Sequence, residues 1–251
     1  MSSSIWTQCA AGSELRPLRL EPWRVVEAQH RVSTRKLVDS AAEQAVLEEL
    51  IEGSKPPIPA DGRLHYLLAK PFRYPPLRHG SRFGTRHERG IWYGSESRRT
   101  AFAEVAYYRL LFLEGTRAEL GAVTTQLTAF TARASTERGV DLLAPPFDAH
   151  REAIASPTDY GATQALGRAM REAGVELFRY PSARDVRSGV NVGAFTPAVF
   201  RDGRPRRFET WHCTATPERV EMQKLDFFRR IAIAFPRADF LVDGRLPAPA
   251  L

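Results

Sequence analysis

The sequence predicts an α+β protein, and three observations lead to this class. The chain has 251 residues, of which 43% are hydrophobic and 26% charged, a composition typical of a globular protein with one principal core. Helical spacing and strand-like alternation of apolar residues both occur along the chain. Their order is mixed, which favours α+β over a repeating β-α-β design.

The first predicted element is a short amphipathic helix that begins at the capping box Ser40 to Glu43 and ends at Gly53. Prolines in residues 55–59 then predict an extended connector. We therefore predict three regions: residues 1–60, a helical N-terminal extension with a proline-rich connector; residues 61–235, the core; and residues 236–251, a C-terminal tail.

The later elements are predicted from local patterns in the same way. They are strands over residues 64–68 and 91–93, a helix over 98–114, a strand over 123–127, a helix from 159 to 174, strands over 175–180 and 190–195, and a hairpin about Asp202-Gly203 that joins 198–200 to 208–213.

The charge of the chain suggests an anionic ligand or partner. Lys and Arg number 36 against 29 Asp and Glu, a net charge of +7. Residues 70–89 alone hold one Lys and five Arg against Glu88, a local +5. Such a region suits nucleic acid, a phosphorylated small molecule or an acidic partner.

Targeting and metal signals are weak. The N-terminus does not resemble a secretion signal, and the apolar stretch 101–113 is shorter than the roughly 20 residues that span a bilayer. Cys9 and Cys213 are far apart, which suits a reducing compartment. We expect a cytoplasmic protein without a membrane segment, and no metal site, because the histidines show no ligand spacing.

Glu104 is the strongest candidate for chemistry. The stretch AFAEVAYYRLLFL, residues 101–113, contains this one carboxylate. At about 100° per residue, Glu104 shares its helix face with Tyr107 and Tyr108. A carboxylate on an apolar helix is costly to bury unless groups outside the helix satisfy it. It is either a catalytic or ligand-binding acid, which we favour, or one half of a buried salt bridge with a loop arginine.

A second group of candidates surrounds the arginine-rich loop. Arg73 and Tyr74 follow Phe72, and Arg82 lies within the sequence Gly-Ser-Arg-Phe-Gly. Arginine forks match phosphate oxygens, and aromatic rings can stack on a flat heterocycle. Neither a Gly-x-Gly-x-x-Gly nor a Walker pattern is present. Ser182 has no hydrolase motif around it, so we predict that it donates hydrogen bonds and is not a nucleophile.

Four segments together resemble the RES domain family: PFRYPP at 71–76, GSRFG at 80–84, GIWYGSESRRTAFAEVAYYR at 90–109 and YPSAR at 180–184. The resemblance extends over roughly residues 60–215, and its specificity comes from Arg82, Tyr93 and Glu104 following one another at equal intervals. It implies an ADP-ribosyltransferase-like core of two packed, mainly antiparallel sheets with flanking helices, in which residues 61–235 are the catalytic core.

The resemblance also implies a function. RES proteins are typically toxins of toxin-antitoxin pairs that degrade NAD+ by cleaving its nicotinamide-ribose bond, as glycohydrolases or phosphorylases. NAD+ is then a substrate, with no cofactor, and the partner is an Xre-like helix-turn-helix antitoxin. Matched by position, the expected site residues are the catalytic Glu104, Arg82 and Ser182, together with the NAD+-binding Arg73, Tyr74, Tyr93 and, more loosely, Asn191.

Three other functions stay open at this stage. The resemblance also allows an ADP-ribosyltransferase that modifies a protein. Basic residues between aromatic ones would equally suit an RNA-binding or RNA-cleaving protein, although we expect no direct contact with nucleic acid. A catalytically silent module that holds an acidic antitoxin is the third. The sequence leaves open the acceptor, the antitoxin and whether the chain forms a homo-oligomer.

Overall fold

The computed structural model describes residues 4–9, 14–28, 38–54, 64–74, 79–118, 120–225 and 230–248. The helices in these ranges are α1 Ile5–Gln8, α2 Ala41–Gly53, α3 Tyr66–Arg73, α4 Arg98–Gly115, α5 Arg151–Ile154 and α6 Gly161–Glu172. The strands are β1 Arg16–Leu20, β2 Trp23–Glu27, β3 Trp92–Ser95, β4 Val123–Thr131, β5 Ala134–Asp141, β6 Leu177–Pro181, β7 Val190–Ala194, β8 Arg206–Ala215, β9 Arg219–Leu225 and β10 Arg230–Pro236.

The strands form one mainly antiparallel sheet in the order β1-β5-β6-β7-β3-β2-β4-β8-β9-β10. The β5–β6 pair is parallel and the other pairs are antiparallel. The α+β class is confirmed. In place of two separate sheets, the structure has two halves joined where β2 meets β3 at the residue pair Trp23–Ser95.

Both faces of the sheet are covered by helices. Helix α4 packs on the half that contains β4 and β8, with Phe102 against Trp211. Helix α6 lies on the same face over the other half, where Leu166 and Met170 share a core cluster with Phe178 of β6. Helix α3 packs on the opposite face. The two helices of the first face leave a cleft between them above β3, β7 and β2.

Helix α4 begins where the sequence predicts. Ser97 is its N-cap, and the side chain accepts a hydrogen bond from the backbone N–H of Thr100. This bond satisfies one of the amides that the first turn leaves without a helical partner. The cap therefore determines where the helix begins, and the start of the helix determines where Glu104 lies along it.

The N-terminal and C-terminal segments pack with the core. Strand β2 lies between β3 and β4 in the middle of the sheet, although the sequence places it in a helical extension. After β10, Phe240 and Leu246 are buried in the cluster under α4, and the hydroxyl of Tyr107 donates to the Pro247 carbonyl. The division of the chain into three regions stays a prediction. The sheet and its core include parts of all three regions.

Two local predictions are wrong. Residues 66–73 form a helix and not a strand, because His65 caps it by accepting from the Leu67 amide, and Leu68 and Phe72, one helical turn apart, are both buried. The segment Pro197–Val199 is a 3-10 turn, and β8 pairs with β4 and β9 in place of the predicted hairpin partner. The predicted connector 55–59 lies outside the described residues.

Candidate active site

The candidate site is a cavity of about 330 Å³ in the cleft between α4 and α6. Its floor is a row of side chains from four adjacent strands. Trp23 pairs with Ser95, Ser95 with Asn191, and Asn191 with Tyr180. Directly paired residues point to the same face of a sheet, so the row has an aromatic ring at each end and polar groups between. The remaining walls include Ser81, Arg82, Tyr93, Glu104, Tyr108 and Tyr160.

Glu104 projects from α4 onto this row and is held by one of its oxygens. The Ser182 hydroxyl donates to Glu104 Oε1 at 2.7 Å, and Asn191 Nδ2 donates to the same oxygen at 2.6 Å. Oε1 therefore takes two bonds, whereas Oε2 has no hydrogen-bond partner among the described residues. Because Glu104 borders the cavity, this second oxygen is the one available to a ligand.

The direction of both bonds is determined by the neighbours. Ser182 Oγ already accepts from the amides of Arg184 and Asp185, each at 3.1 Å, so its single proton goes to Glu104. Asn191 Oδ1 accepts from the Ser95 hydroxyl at 2.6 Å, which turns the amide nitrogen toward Glu104. The carboxylate thus sits in a preorganised network of donors.

The salt-bridge interpretation of Glu104 finds no support. Its polar partners are Ser182 and Asn191, and no ion pair involves Glu104 within the part of the chain that the structure describes. The groups outside α4 that satisfy it are neutral. Among the described residues no cation pairs with this carboxylate, so its charge is not offset by an ion pair, which favours the catalytic or binding interpretation.

Arg82 lies in the turn that precedes β3 and is 9% exposed. Its Nη1 donates to the carbonyls of Ile154 at 3.2 Å and Ser156 at 2.8 Å. Its guanidinium carbon lies 4.5 Å from the ring centroid of Tyr160. No acidic partner of Arg82 occurs among the described residues, so carbonyls and a ring orient this cation without neutralising it.

Tyr93 lines the cavity and also holds the turn that carries Arg82. Its hydroxyl accepts from the Phe83 amide at 3.2 Å and is hydrogen bonded to the Ser81 hydroxyl at 2.9 Å. Burial raises the pKa of Tyr93 to about 12, so the phenol stays protonated through the neutral range. The Tyr93 hydroxyl therefore positions the turn that carries Arg82.

Arg73 and Tyr74 lie away from the cavity. Neither borders it, and the Arg73 guanidinium packs at 5.9 Å over the ring of Tyr74. The reason is the alternation of β3. Phe72 and Trp92 both pack on Phe200, whereas Tyr93, the next residue, points to the other face of the sheet. Helix α3 is thus on the face opposite Glu104, so the structure does not bring Arg73 and Tyr74 to this cavity, and their NAD+-binding role stays a prediction.

Four aromatic residues of the cavity were not predicted as site residues: Trp23, Tyr108, Tyr160 and Tyr180. Tyr108 follows Glu104 by one helical turn, so the helical count could have placed it there. Tyr180 alternates with Ser182 along the end of β6, which is a usable signal. Burial and the nearby charge of Glu104 raise the pKa of Tyr180 well above its usual value. Trp23 and Tyr160 carry no local signal.

Comparison with known families decides the classification. The family model described as the RES domain matches residues 58–216, which is more than half of the chain. The chain belongs to the RES domain family. The matched range contains Arg82, Tyr93, Glu104 and Ser182, whereas β1, β2, β9 and β10 lie outside it.

Two other comparisons concern individual proteins. No curated protein matches its sequence. One solved structure that resembles it is the MbcT-MbcA toxin-antitoxin complex of M. tuberculosis, at 15% sequence identity. That alignment covers 84% of this chain and 91% of the other, with a TM-score of 0.47.

Two further features concern the described residues alone. None of their helices combines the length and the apolar character needed to cross a bilayer. No three of their His, Cys, Asp and Glu side chains are grouped so that they could hold a metal ion.

Proposed function

We propose that this RES domain protein is a toxin of a toxin-antitoxin pair and that it degrades NAD+ by cleaving the nicotinamide-ribose bond. The observation that carries the proposal is Glu104, which has one oxygen held by two neutral donors and the other open to a cavity that it shares with Arg82. Family membership makes NAD+ the natural substrate for this arrangement. The finer assignment, glycohydrolase or phosphorylase, depends on the acceptor.

The chemistry needs a fixed negative charge beside the ribose. When the bond between ribose C1′ and the nicotinamide nitrogen breaks, the electron pair leaves with nicotinamide, and the ribose develops oxocarbenium character. Glu104 stabilises that positive charge because its carboxylate is already oriented, and such preorganised electrostatic stabilisation is worth several kcal/mol. Nicotinamide departs neutral, so the leaving group needs no general acid. An oxygen of water or phosphate then bonds to C1′, and in hydrolysis the attacking water releases its proton to solvent.

The other side chains bind and orient. Arg82 offers a planar guanidinium that suits the diphosphate, and the carbonyls of Ile154 and Ser156 hold it in place. Ser182 and Asn191 act on the reaction through Glu104, which makes them positioning residues. Tyr93 keeps the Arg82 turn in place. In this proposal NAD+ is a substrate, and neither a cofactor nor a metal takes part.

The biological part of the proposal concerns location and partner. A toxin that consumes NAD+ acts in the cytoplasm, where its substrate is. An Xre-like helix-turn-helix antitoxin would neutralise it. The test is growth: expression of the wild-type chain should arrest growth and deplete cellular NAD+, whereas Glu104→Gln should not. Arrest by both forms would contradict an NAD+-based toxicity.

The enzymatic test is direct. Purified protein is incubated with NAD+, with and without inorganic phosphate, and the products are identified by mass. Free ADP-ribose indicates hydrolysis, a phosphorylated ADP-ribose indicates phosphorolysis, and added mass on a protein indicates transfer. Intact NAD+ in all three reactions, with folded protein, would refute the proposal. Salt-sensitive RNA binding in its place would support the rival RNA-binding function.

A further inference from the structure

We propose that Trp23 is the binding platform for the nicotinamide ring, so that the N-terminal strand β2 supplies one wall of the substrate site. This inference rests on the proposed function and names a subsite within it. Trp23 lies outside the residues that match the family model, yet its side chain borders the cavity together with Glu104.

The position of Trp23 follows from the register of the sheet. Trp23 pairs with Ser95, and Ser95 pairs with Asn191, which donates to Glu104. Adjacent strands are about 4.8 Å apart, so the backbone of Trp23 is about 10 Å from that of Asn191. Trp23 and Glu104 border the same cavity, so a base bonded to a ribose at Glu104 can contact the indole.

Arg82 lies at the other end of the row. Phe83, its neighbour in the turn, packs edge-on against Phe178 and Tyr180 of β6, each with ring centroids 4.8 Å away. Strand β6 and strand β2 lie on opposite sides of the β7–β3 pair. The cavity therefore presents a cation at the β6 side, a carboxylate in the middle and an indole at the β2 side.

This order matches one half of the substrate. In the nicotinamide half of NAD+, the ribose lies between the phosphate and the base. With the diphosphate at Arg82 and the ribose at Glu104, the base must extend toward Trp23. The reverse orientation would take the diphosphate away from Arg82. Arg24, the other arginine that borders the cavity, donates to the Tyr93 carbonyl and packs over Trp92, whose ring lies on the opposite face of the sheet.

The chemistry of the base fits an indole. The nicotinamide ring of NAD+ is a pyridinium cation, and tryptophan is the best aromatic partner for a cation. Arg98 lies on the indole with its guanidinium carbon 5.6 Å from the ring centroid. Its Nη1 donates to both oxygens of Glu209, at 2.9 and 2.8 Å, and Lys224 shares the same carboxylate at 3.2 Å, so the Arg98 charge is partly offset and its repulsion of the pyridinium is reduced.

The pyridinium loses its charge as the bond breaks, so the attraction to Trp23 is strongest in the bound substrate. An interaction that weakens toward the transition state improves substrate binding without raising turnover. Replacement of Trp23 should therefore raise KM for NAD+ without lowering kcat.

The test measures binding to protein that carries Glu104→Gln, so that no ligand is consumed. Calorimetric titrations use NAD+, nicotinamide mononucleotide and ADP-ribose. Trp23→Leu should weaken binding of the first two by about tenfold, in line with a cation-π contact shielded from water, and change ADP-ribose binding less than twofold. Trp23→Phe should give a smaller loss in the same pattern. Trp6→Leu, a change of another partly buried tryptophan that lies outside the cavity, is the control.

Three outcomes overturn the inference. Equal losses for ADP-ribose and nicotinamide mononucleotide would mean that Trp23 contacts the adenosine half or acts on the fold. Unchanged binding of all ligands would remove Trp23 from the site. If thermal unfolding shows that Trp23→Leu does not fold, KM and kcat of the active Trp23→Phe protein are measured in its place, and an unchanged KM for NAD+ overturns the inference. A wild-type protein that neither binds nor consumes NAD+ refutes the proposed function itself.

Discussion

Replacement of Ser182 by alanine tests the network that holds Glu104. The Ser182 hydroxyl makes three hydrogen bonds: it donates to Glu104 at 2.7 Å and accepts from the amides of Arg184 and Asp185 at 3.1 Å. Ser182→Ala removes all three at once. We expect a loss of turnover and a loss of stability, and the two have separate causes.

The stability effect comes from the amides. Two buried N–H groups lose their acceptor, and a buried unsatisfied group costs about 1–3 kcal/mol. We expect a loss of about 2–4 kcal/mol in the free energy of unfolding, which lowers Tm by roughly 5–15 °C for a chain of this length. This part of the effect says nothing about catalysis.

The turnover effect comes from the lost donor. A hydrogen bond to a charged group is worth about 1.5–3 kcal/mol, and Asn191 still holds the carboxylate. We therefore expect kcat to fall by about 10- to 100-fold, with a smaller change in KM. The assay follows NAD+ loss at a temperature well below the Tm of the variant, so that folded protein is compared with folded protein.

Thr216→Val is the matched control. The Thr216 hydroxyl accepts from the amides of Glu218 and Arg219 in the turn between β8 and β9, a similar local arrangement without a catalytic carboxylate. It should leave NAD+ turnover unchanged. A Ser182→Ala enzyme with wild-type kcat would refute the positioning role, as would an equal loss of activity in the control.

Two further predictions concern the Arg82 turn. Arg82→Ala should raise KM for NAD+ by about 10- to 100-fold, because a charge-assisted bidentate contact is lost. Arg82→Lys should not restore the wild-type KM, because lysine lacks the planar fork. Arg86→Ala, in the same loop, is the control, and an unchanged KM in Arg82→Ala would contradict a phosphate role. The second prediction concerns pH. Burial raises the pKa of Tyr93 to about 12 in the folded protein, whereas a tyrosine in the unfolded chain has a pKa of about 10. Between these pH values the unfolded state binds fewer protons than the folded state, so the stability of the fold falls as pH rises. In denaturant titrations at pH 9 to 11.5, the free energy of unfolding of Tyr93→Phe should fall less steeply with pH than that of the wild type. At pH 7 the variant should be less stable, because the hydrogen bonds of the hydroxyl to the turn are lost. An identical slope in both proteins would contradict the raised pKa of Tyr93.

The centre of the site could be predicted from the sequence because its signals are local. Glu104 stands out as a single carboxylate on an apolar helix, and Ser97 marks the start of that helix. The positions of Tyr93 and Ser182 could be inferred from the family motifs. The structure brings Glu104 and Tyr93 together with Arg82 and Asn191 around one cavity, and Ser182 contacts Glu104.

The remaining parts of the site depend on contacts between distant segments. Trp23 reaches the cavity only because β2 is inserted between β3 and β4, and strand order is not encoded in any local pattern. Arg73 shows the opposite case. It is close to Arg82 in the chain, but His65 caps a helix that packs with Trp92 on the far face. Nearness in sequence therefore did not predict nearness in space.

The measurement that tests the account most directly compares wild-type protein with Glu104→Gln for NAD+ turnover and NAD+ binding in the same preparation. Glutamine keeps the size of the side chain and removes its charge. We expect turnover to fall by about 10² or more, with Tm and the affinity for NAD+ close to those of the wild type. Near-normal NAD+ loss in the Glu104→Gln protein would show that the carboxylate is not the group that stabilises the reacting ribose.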